Sequence, residues 1–515
     1  MTATITPMMA QYLDIKARHA DALLFYRMGD FYEMFFDDAV AAAEALDIAL
    51  TRRGKHEGDD IPMCGVPAHS ADGYLLTLIR KGFRVAICEQ LEDPAEAKKR
   101  GSKAVVKRDV VRVVTPGTLT EDTLLDARRH NFLAAIAQVR DATALAWCDI
   151  STGDFSVQPL PAHRLGAELA RLCPGEVLIP ETGLEMVEGI LSDLGVPATR
   201  LPNGQFDSRS AEPALCDAFG VASLDGFGNF ERAELAAMGA VVRYLEVTQK
   251  GSLPLLRPPV RVSMATAMTL DPATRRNLEL TEALGGGRAN TLLSSIDRTL
   301  TAPGARLMER RMSSPATDAA IITERHDRVA ALVDRPGLRR DLRGILRHVP
   351  DLDRALSRLA LDRGGPRDLG ALRDGLRHAV DLRAALDRQG DSALAGIAAA
   401  LDVPGDLSDL LDRALADDLP VTLRDGGMVA KGHSTDLDAT RQLRDEGRGV
   451  IAGLQTQYVE ATGIGALKIK HNNVLGYFIE TPATHAERML GQPLADTFIH
   501  RQTTANALRF TTLDL

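Results

Sequence analysis

The rhythm of apolar and polar positions changes near residue 260. Before that point, short apolar runs alternate with amphipathic stretches, the pattern of strands interleaved with helices. MMAQYLDIKARHA reads as an amphipathic helix, and residues 22–28 read as a strand. Gly29-Asp30 is a turn signal, and EMFFDDAVAAAEAL repeats apolar residues at helical spacing. Phe31 and Glu33 therefore fall just after a turn, at a strand-to-helix junction. TRRGKHEGDD is polar and contains glycine, so it is expected to be a loop. DGYLLTLIRKG predicts a helix. FRVAICEQ and DVVRVVTPGT predict strands on either side of a basic stretch over 98–107.

A second α/β unit begins near residue 130. NFLAAIAQV and ALAWCDIS read as paired strands, with Gly153-Asp154 as the turn before FSVQPL. Residues 176–179 form a short buried strand candidate, and ERAELAAMGAVVRYLEVTQK is a helix before the Pro-rich linker SLPLLRPPV. From about 260 to 447, Leu and Ala recur at three- and four-residue steps among Arg residues, which predicts a helical scaffold. Strand-like alternation is expected again from about 448 to 512, around ALKIKHNNVLGYFIET. RQTTANALRFTTLDL reads as a helix cap and the start of a helix. No solenoid-type repeat or low-complexity tract occurs.

Composition narrows this picture only a little. At 515 residues, 45% hydrophobic and 25% charged, the chain has ordinary globular content, enough for three or four domains at roughly 150 residues each. No apolar run approaches the roughly 20 residues that span a bilayer, and no signal peptide is evident. Cys64, Cys88, Cys148, Cys173 and Cys216 are scattered without a CxxC pair, which fits reduced cytosolic thiols better than a zinc site or a disulfide framework. The net charge of −9 argues against a nonspecific nucleic-acid binder, though not against local basic surfaces.

FYRMGDFYEMF, residues 25–35, is the most informative short segment. An aromatic ring presented beside a turn can wedge between base steps, at a cost of a few kcal/mol that is least where the duplex is already weakened. A neighbouring carboxylate can bond a displaced base. The same residues also suit an ordinary core phenylalanine and a glutamate at a helix start.

The order of segments separates these readings. FYRMGDFYE, IPMCGVPAHSADGYL, VAICEQLEDP, VVRVVTPGT, LDPATRRNLEL, TLLSSIDRTLTAPGARLMERRMSSP, DLDRALSRLAL, RDGGMVAKG, LKIKHNNVLGYFIE and RQTTANALRFTT follow one another as in the bacterial MutS family, which the chain resembles from end to end. The resemblance implies a multidomain α/β plus all-α architecture: an α/β mismatch-recognition domain over 1–115, a ribonuclease-H-like α/β connector over 124–250, an incomplete helical lever core over 260–447 and a β-rich clamp over 448–512. Phe31 matches the family's intercalating phenylalanine, and Glu33 the glutamate that bonds the mispaired base. Met28, Arg53, Met63 and Arg108 match positions that touch the duplex near the lesion. The arginines suit phosphates, and the methionines suit a widened minor groove. Lys468, Lys470, Asn472, Arg501 and Asn506 are the implied clamp donors. Where the family often carries a lysine before the last of these, this chain has Ala505, which predicts one phosphate contact fewer.

The implied ligand is double-stranded DNA with mismatches or small loops, and the implied location is the bacterial cytoplasm, at the nucleoid, without a membrane. For the full-length family member the resemblance implies a homodimer, ATP with Mg²⁺, and a MutL-type partner. No GxxxxGK[ST] sequence occurs in the 515 residues, so no phosphate-cradling loop is encoded here. The chain reads as stopping before the ATP-binding domain: it is expected to need no cofactor and to hydrolyse no ATP by itself. Its helical core is expected to leave apolar faces exposed. Two other readings stay open. One is a relative that binds junctions or partners as a scaffold without reading mismatches. The other is a metal-dependent nuclease on Asp149, with Glu176 and Asp193 as further carboxylates.

Overall fold

The computed structural model describes residues 6–515 except 57, 102–103, 183–184, 264–266, 473–474 and 505. The chain forms two compact units, Met1–Asp412 with Leu419–Gly426, and Arg413–Asp418 with Gly427–Leu515. The first unit contains two sheets and most of the helices. Its first sheet has six strands: β1 (Leu23–Met28), β2 (Phe31–Phe35), β3 (Thr51–His56), β4 (Asp59–Pro67), β5 (Val85–Gln90) and β6 (Arg108–Val114), in the order β3-β4-β2-β1-β5-β6. Because strand side chains alternate between faces, this sheet builds two cores. Phe25, Tyr32, Met34, Cys64 and Val66 pack on one face with the helices Phe36–Leu46 and Ala71–Arg80. Leu24, Tyr26 and Phe35 pack on the other face with Met9, Tyr12 and Ile15 of the helix Pro7–Arg18.

Three expectations for this region need correction. Phe31 and Glu33 lie within β2 rather than at a strand-to-helix junction, and the helix starts at Phe36, not Glu33. TRRGKHEGDD is a β-hairpin, not a loop: β3 pairs antiparallel with β4 at the sheet edge. Its exposed Arg and Lys hide a strand from pattern reading, since an edge strand needs no apolar face and charge protects it from further pairing.

The second sheet joins β7 (Leu133–Val139), β8 (Ala142–Asp149), β9 (Asp154–Pro159), β10 (Glu176–Pro180), β11 (Ala198–Leu201) and β12 (Val260–Arg261), in the order β11-β10-β7-β8-β9-β12. β7, β8 and β9 are antiparallel neighbours, while β10 pairs parallel with β7 and β11. This is the mixed α/β connector expected. The helix Arg232–Thr248 packs across it, with Gly239 facing Ala211: a Cβ there would lie 2.4 Å from the Ala211 Cβ. Helices dominate from Pro272 to Ala414, the longest being the 22-residue Pro366–Asp387. Val329, Val333 and Val380 on these helices are more than half exposed.

In the second unit a 28-residue helix runs unbroken over Thr435–Thr462, so the strand-like region expected from 448 starts only at Lys468. β13 (Lys468–Asn472), β14 (Gly476–Pro482), β15 (Ile499–Thr503) and β16 (Ala507–Thr511) form a sheet in the order β13-β14-β16-β15. RQTTANALRFTTLDL is thus part of two strands, not a helix start. Alternate residues Leu508 and Phe510 point into a core with Ile479, Tyr458 and Phe498. Among the described residues no helix is long and apolar enough to cross a membrane, and all five cysteines are free thiols.

Candidate functional site

β1 and β2 join through Gly29, whose φ of +61° is a left-handed conformation natural to glycine. The turn sets Met28 opposite Phe31 and Tyr26 opposite Glu33. The period of two then sorts β2: Tyr32 and Met34 enter the core, while Phe31 and Glu33 share the other face. Farther along that face the helix Pro7–Arg18 covers Phe35, whose carbonyl accepts the Tyr12 hydroxyl. Phe31 remains 46% exposed, whereas Phe35 on the same strand is 0% exposed. An apolar ring so exposed, beside a tight turn, gains only part of its burial energy within the folded chain.

Glu33 reaches across β4. Arg53 Nη1 donates to both of its carboxylate oxygens, at 2.9 and 2.7 Å. Gly65, opposite Glu33 in β4, leaves the room: a Cβ there would sit 3.3 Å from the Tyr32 carbonyl oxygen and 3.6 Å from Glu33 Cγ. Met28 and Met63 are half-buried at the margin of the core on this face. Arg108 is anchored internally. Its Nε donates to the Arg27 carbonyl at 2.7 Å, its Nη1 to the Val106 carbonyl at 3.1 Å, and its guanidinium lies 5.0 Å from the Tyr26 ring centre. The face thus gathers Phe31, Glu33 and Arg53, flanked by Met28 and Met63, while Arg108 braces the strand beneath.

The candidates in the second unit do not converge in this way. Lys468 and Lys470 alternate on one face of β13. Lys470 Nζ donates to Glu480 at 2.6 Å, and Arg509 Nε donates to the same carboxylate at 3.1 Å. The hydrogen bond from Lys470, then the one from Arg509, holds the Glu480 carboxyl below its ordinary range. Asn472 shapes the hairpin turn, its Oδ1 accepting from the Leu475 N–H at 2.7 Å. Asn506 is exposed at the opposite end of the sheet, where Ala507 pairs with Pro482. Arg501 stands exposed on β15 at a register shift between His500 and Gln502. Ala505 lies outside the described residues.

The carboxylates of the nuclease alternative are not grouped among the described residues. Asp149 is fully buried; it accepts from the Ser151 and Asn131 N–H groups and the Ser151 hydroxyl, and lies 2.8 Å from His130 Nδ1. Burial opposes its ionisation, but the His130 bond and charge and the Ser151 bond outweigh burial and hold the carboxyl low. Glu176 is saturated by Thr115, Gly117, Thr199 and Tyr244. Asp193 is exposed on the helix Glu185–Leu194. Among the described residues no three His, Cys, Asp or Glu side chains are grouped to hold a metal. The Glu176 cluster was not legible in the sequence, because its donors lie as far as 68 positions away.

Residues 6–123 match MutS domain I, residues 131–257 match MutS domain II, and residues 273–509 match MutS domain III. The chain is 63% identical over 516 residues to a DNA mismatch repair protein MutS from Cereibacter sphaeroides. It is 63% identical over 513 residues to one from Dinoroseobacter shibae and 63% identical over 510 residues to one from Paracoccus denitrificans. In each case the match covers 99% of this chain and 58% of the relative's length.

Proposed function

Because the chain belongs to the MutS family, we propose that it binds duplex DNA at mispaired or looped steps, with Phe31 as the wedge and Glu33 as its polar partner. The observation that carries this reading is the 46% exposure of Phe31 on the same strand face as Glu33. A ring placed there can enter a base step without disturbing the core beneath it. A mispaired step unstacks and bends at lower cost than a matched one, so deformability supplies selectivity where no base-specific contact exists. Arg53 is placed to keep Glu33 oriented and to meet a phosphate when the pair opens. Met28 and Met63 offer adaptable apolar edges to a widened minor groove. In the second unit Lys468, Lys470, Arg501 and Asn506 supply donors to the DNA backbone, which position without reading sequence. Asn472 acts by shaping the β13–β14 turn.

In the longer protein this binding would be coupled to ATP and Mg²⁺, to a second copy of the chain and to a MutL-type partner. These 515 residues contain no GxxxxGK[ST] loop, so this chain alone is expected to bind DNA rather than hydrolyse ATP. The test is fluorescence anisotropy on a G·T-mismatched duplex and its matched counterpart at one fixed salt concentration. Wild type is expected to prefer the mismatch, and Phe31→Ala to lose that preference while keeping weak general binding. Equal binding of both duplexes by wild type would instead favour a scaffold that does not read mismatches.

A further inference from the structure

A cleft of about 990 Å³ opens in the first unit between the second sheet and the helices Ala302–Ser313 and Ala319–Val333. It is remote in sequence from the Phe31 hairpin, and the DNA-binding reading does not use it. Trp147, the chain's single tryptophan, lines it at 6% exposure, with the Arg171 guanidinium 5.4 Å from its ring centre. Arg171 is only partly satisfied. Its Nε donates to Glu168 at 2.7 Å and its Nη1 to the Ser314 hydroxyl at 3.2 Å, but its Nη2 is buried without a partner. Behind Ser313, Arg275 is 8% exposed; its Nη2 donates to the Ser313 carbonyl, while Nε and Nη1 are unpartnered. Buried donors are nearly always bonded in folded proteins, and each open one costs free energy. Of these two arginines Arg171 borders the cleft, and its open nitrogen marks a place suited to an acceptor that the chain itself does not supply.

Carboxylates also line the cleft, but Asp126, Asp154, Glu168 and Glu309 are paired with Arg288, Arg257, Arg171 and Arg129, and the rim adds further cations. Arg310, Arg311 and Arg325 line the cleft, and none forms an ion pair among the described residues. Burial, then the charges of Arg325, Arg328 and Arg310, pulls the Arg311 guanidinium below its ordinary range. Arginine forks match the oxygens of a phosphate. Leu172, Met268 and Ile321 supply an apolar wall in the same cleft, and the volume is that of a small-molecule site.

We propose that this cleft binds a small phosphate ester of nucleotide size. Arg171, Arg311 and Arg325 meet the phosphate, and the aromatic or apolar body lies along Trp147, Leu172 and Met268. Trp147 makes the test direct. Its fluorescence is followed while the 515-residue chain is titrated with AMP, and separately with inorganic phosphate, at constant ionic strength. The expected result is a saturable change with AMP at sub-millimolar concentration, with inorganic phosphate binding at least tenfold more weakly. Arg311→Gln/Arg325→Gln, which alters side chains at the rim, is expected to weaken AMP at least tenfold with an unchanged thermal midpoint. No saturable signal, equal affinity for AMP and inorganic phosphate, or an unaltered response in the double variant would each overturn the proposal. Displacement of AMP by a short DNA duplex would also overturn it, assigning the arginines to nucleic acid instead.

Discussion

Arg53 Nη1 holds both carboxylate oxygens of Glu33, at 2.7 and 2.9 Å, from the far side of strand β4. Both residues come from separate elements, and each is a proposed DNA contact, so the pair must open or be shared when DNA binds. The Arg53 side chain is 49% exposed, so solvent screens the pair and its contribution is about 0.5 kcal/mol. A double-mutant cycle with Glu33→Gln and Arg53→Gln in urea is expected to give a coupling of that order at low salt, vanishing near 1 M NaCl. Coupling that survives high salt would show that the pair is more than a screened surface bridge.

Phe31 and Phe35 share one strand and one face but not one environment. Phe31→Ala removes a ring that is 46% exposed and should change unfolding free energy by no more than about 0.5 kcal/mol. Phe35→Ala empties a site buried among Tyr12, Tyr26 and Phe36 and should cost about 3–5 kcal/mol. Chemical denaturation of the two variants checks the contrast. A large loss from Phe31→Ala would mean that the ring packs inward in solution.

Asp149 is expected to act as a structural anchor. Its charge is met by His130, Ser151 and the Asn131 N–H, so Asp149→Asn should destabilise the chain by about 3 kcal/mol at neutral pH, as loss of a buried, bonded charge does. The carboxyl is held below its ordinary value despite burial. A group lowered on folding contributes stability above its unfolded pKa of about 3.9 and loses it as pH falls through the folded value. The gap between wild type and Asp149→Asn should therefore narrow as pH falls below about 4. Urea midpoints measured from about pH 5 to about pH 3 test this, and a gap that widens below about pH 4 would contradict it.

Glu176 ties the segment after the first sheet to the second. Thr115 and Gly117 donate to it from that segment, and Thr199 and Tyr244 from the connector. Gly117 has no room for a side chain, since a Cβ would meet Leu133 Cδ1 at 2.8 Å and Glu176 Cβ at 2.9 Å. Glu176→Ala strands four donors in a buried site and should cost about 3–5 kcal/mol, with Glu176→Gln intermediate. Gly117→Ala should cost about 1–3 kcal/mol through overpacking. Thermal and urea unfolding of the three variants rank them, and a neutral Glu176→Ala would show that the cluster holds nothing together.

The helices and inner strands were legible because burial imposes a period: residues 22–28, FRVAICEQ and the Ala- and Leu-rich repeats each carry their own burial pattern. The β3–β4 hairpin was not, because an edge strand of Thr, Arg, Lys and His buries nothing. Residues 501–515 read as a helix start for a related reason. Polar β15 obscures the alternation of Leu508 and Phe510 beside it. Within the candidate site, Phe31 and Glu33 were found through their segment, but their shared strand face and the Arg53 contact needed the pairing of three strands. The enclosures of Asp149 and Glu176 and the Trp147 cleft depend on tertiary neighbours that no local pattern carries.

Backbone donors and turn-formers in the second unit should differ in how their removal changes the salt dependence of DNA binding. A donor that neutralises a phosphate releases counterions, so its removal lowers the slope of log affinity against log salt by about one unit. Lys468→Gln and Arg501→Gln change exposed cations, and each should reduce the slope by about that much without loss of stability. Lys470→Gln should do the same, and it also removes the bond that Glu480 accepts in the free chain. Asn472→Ala deletes the acceptor that closes the β13–β14 turn, so it should lower stability by about 1 kcal/mol and leave the slope unchanged. Binding isotherms on a matched duplex across a salt series decide it. A slope unaffected by Lys468→Gln and Arg501→Gln would move the backbone contact off this sheet.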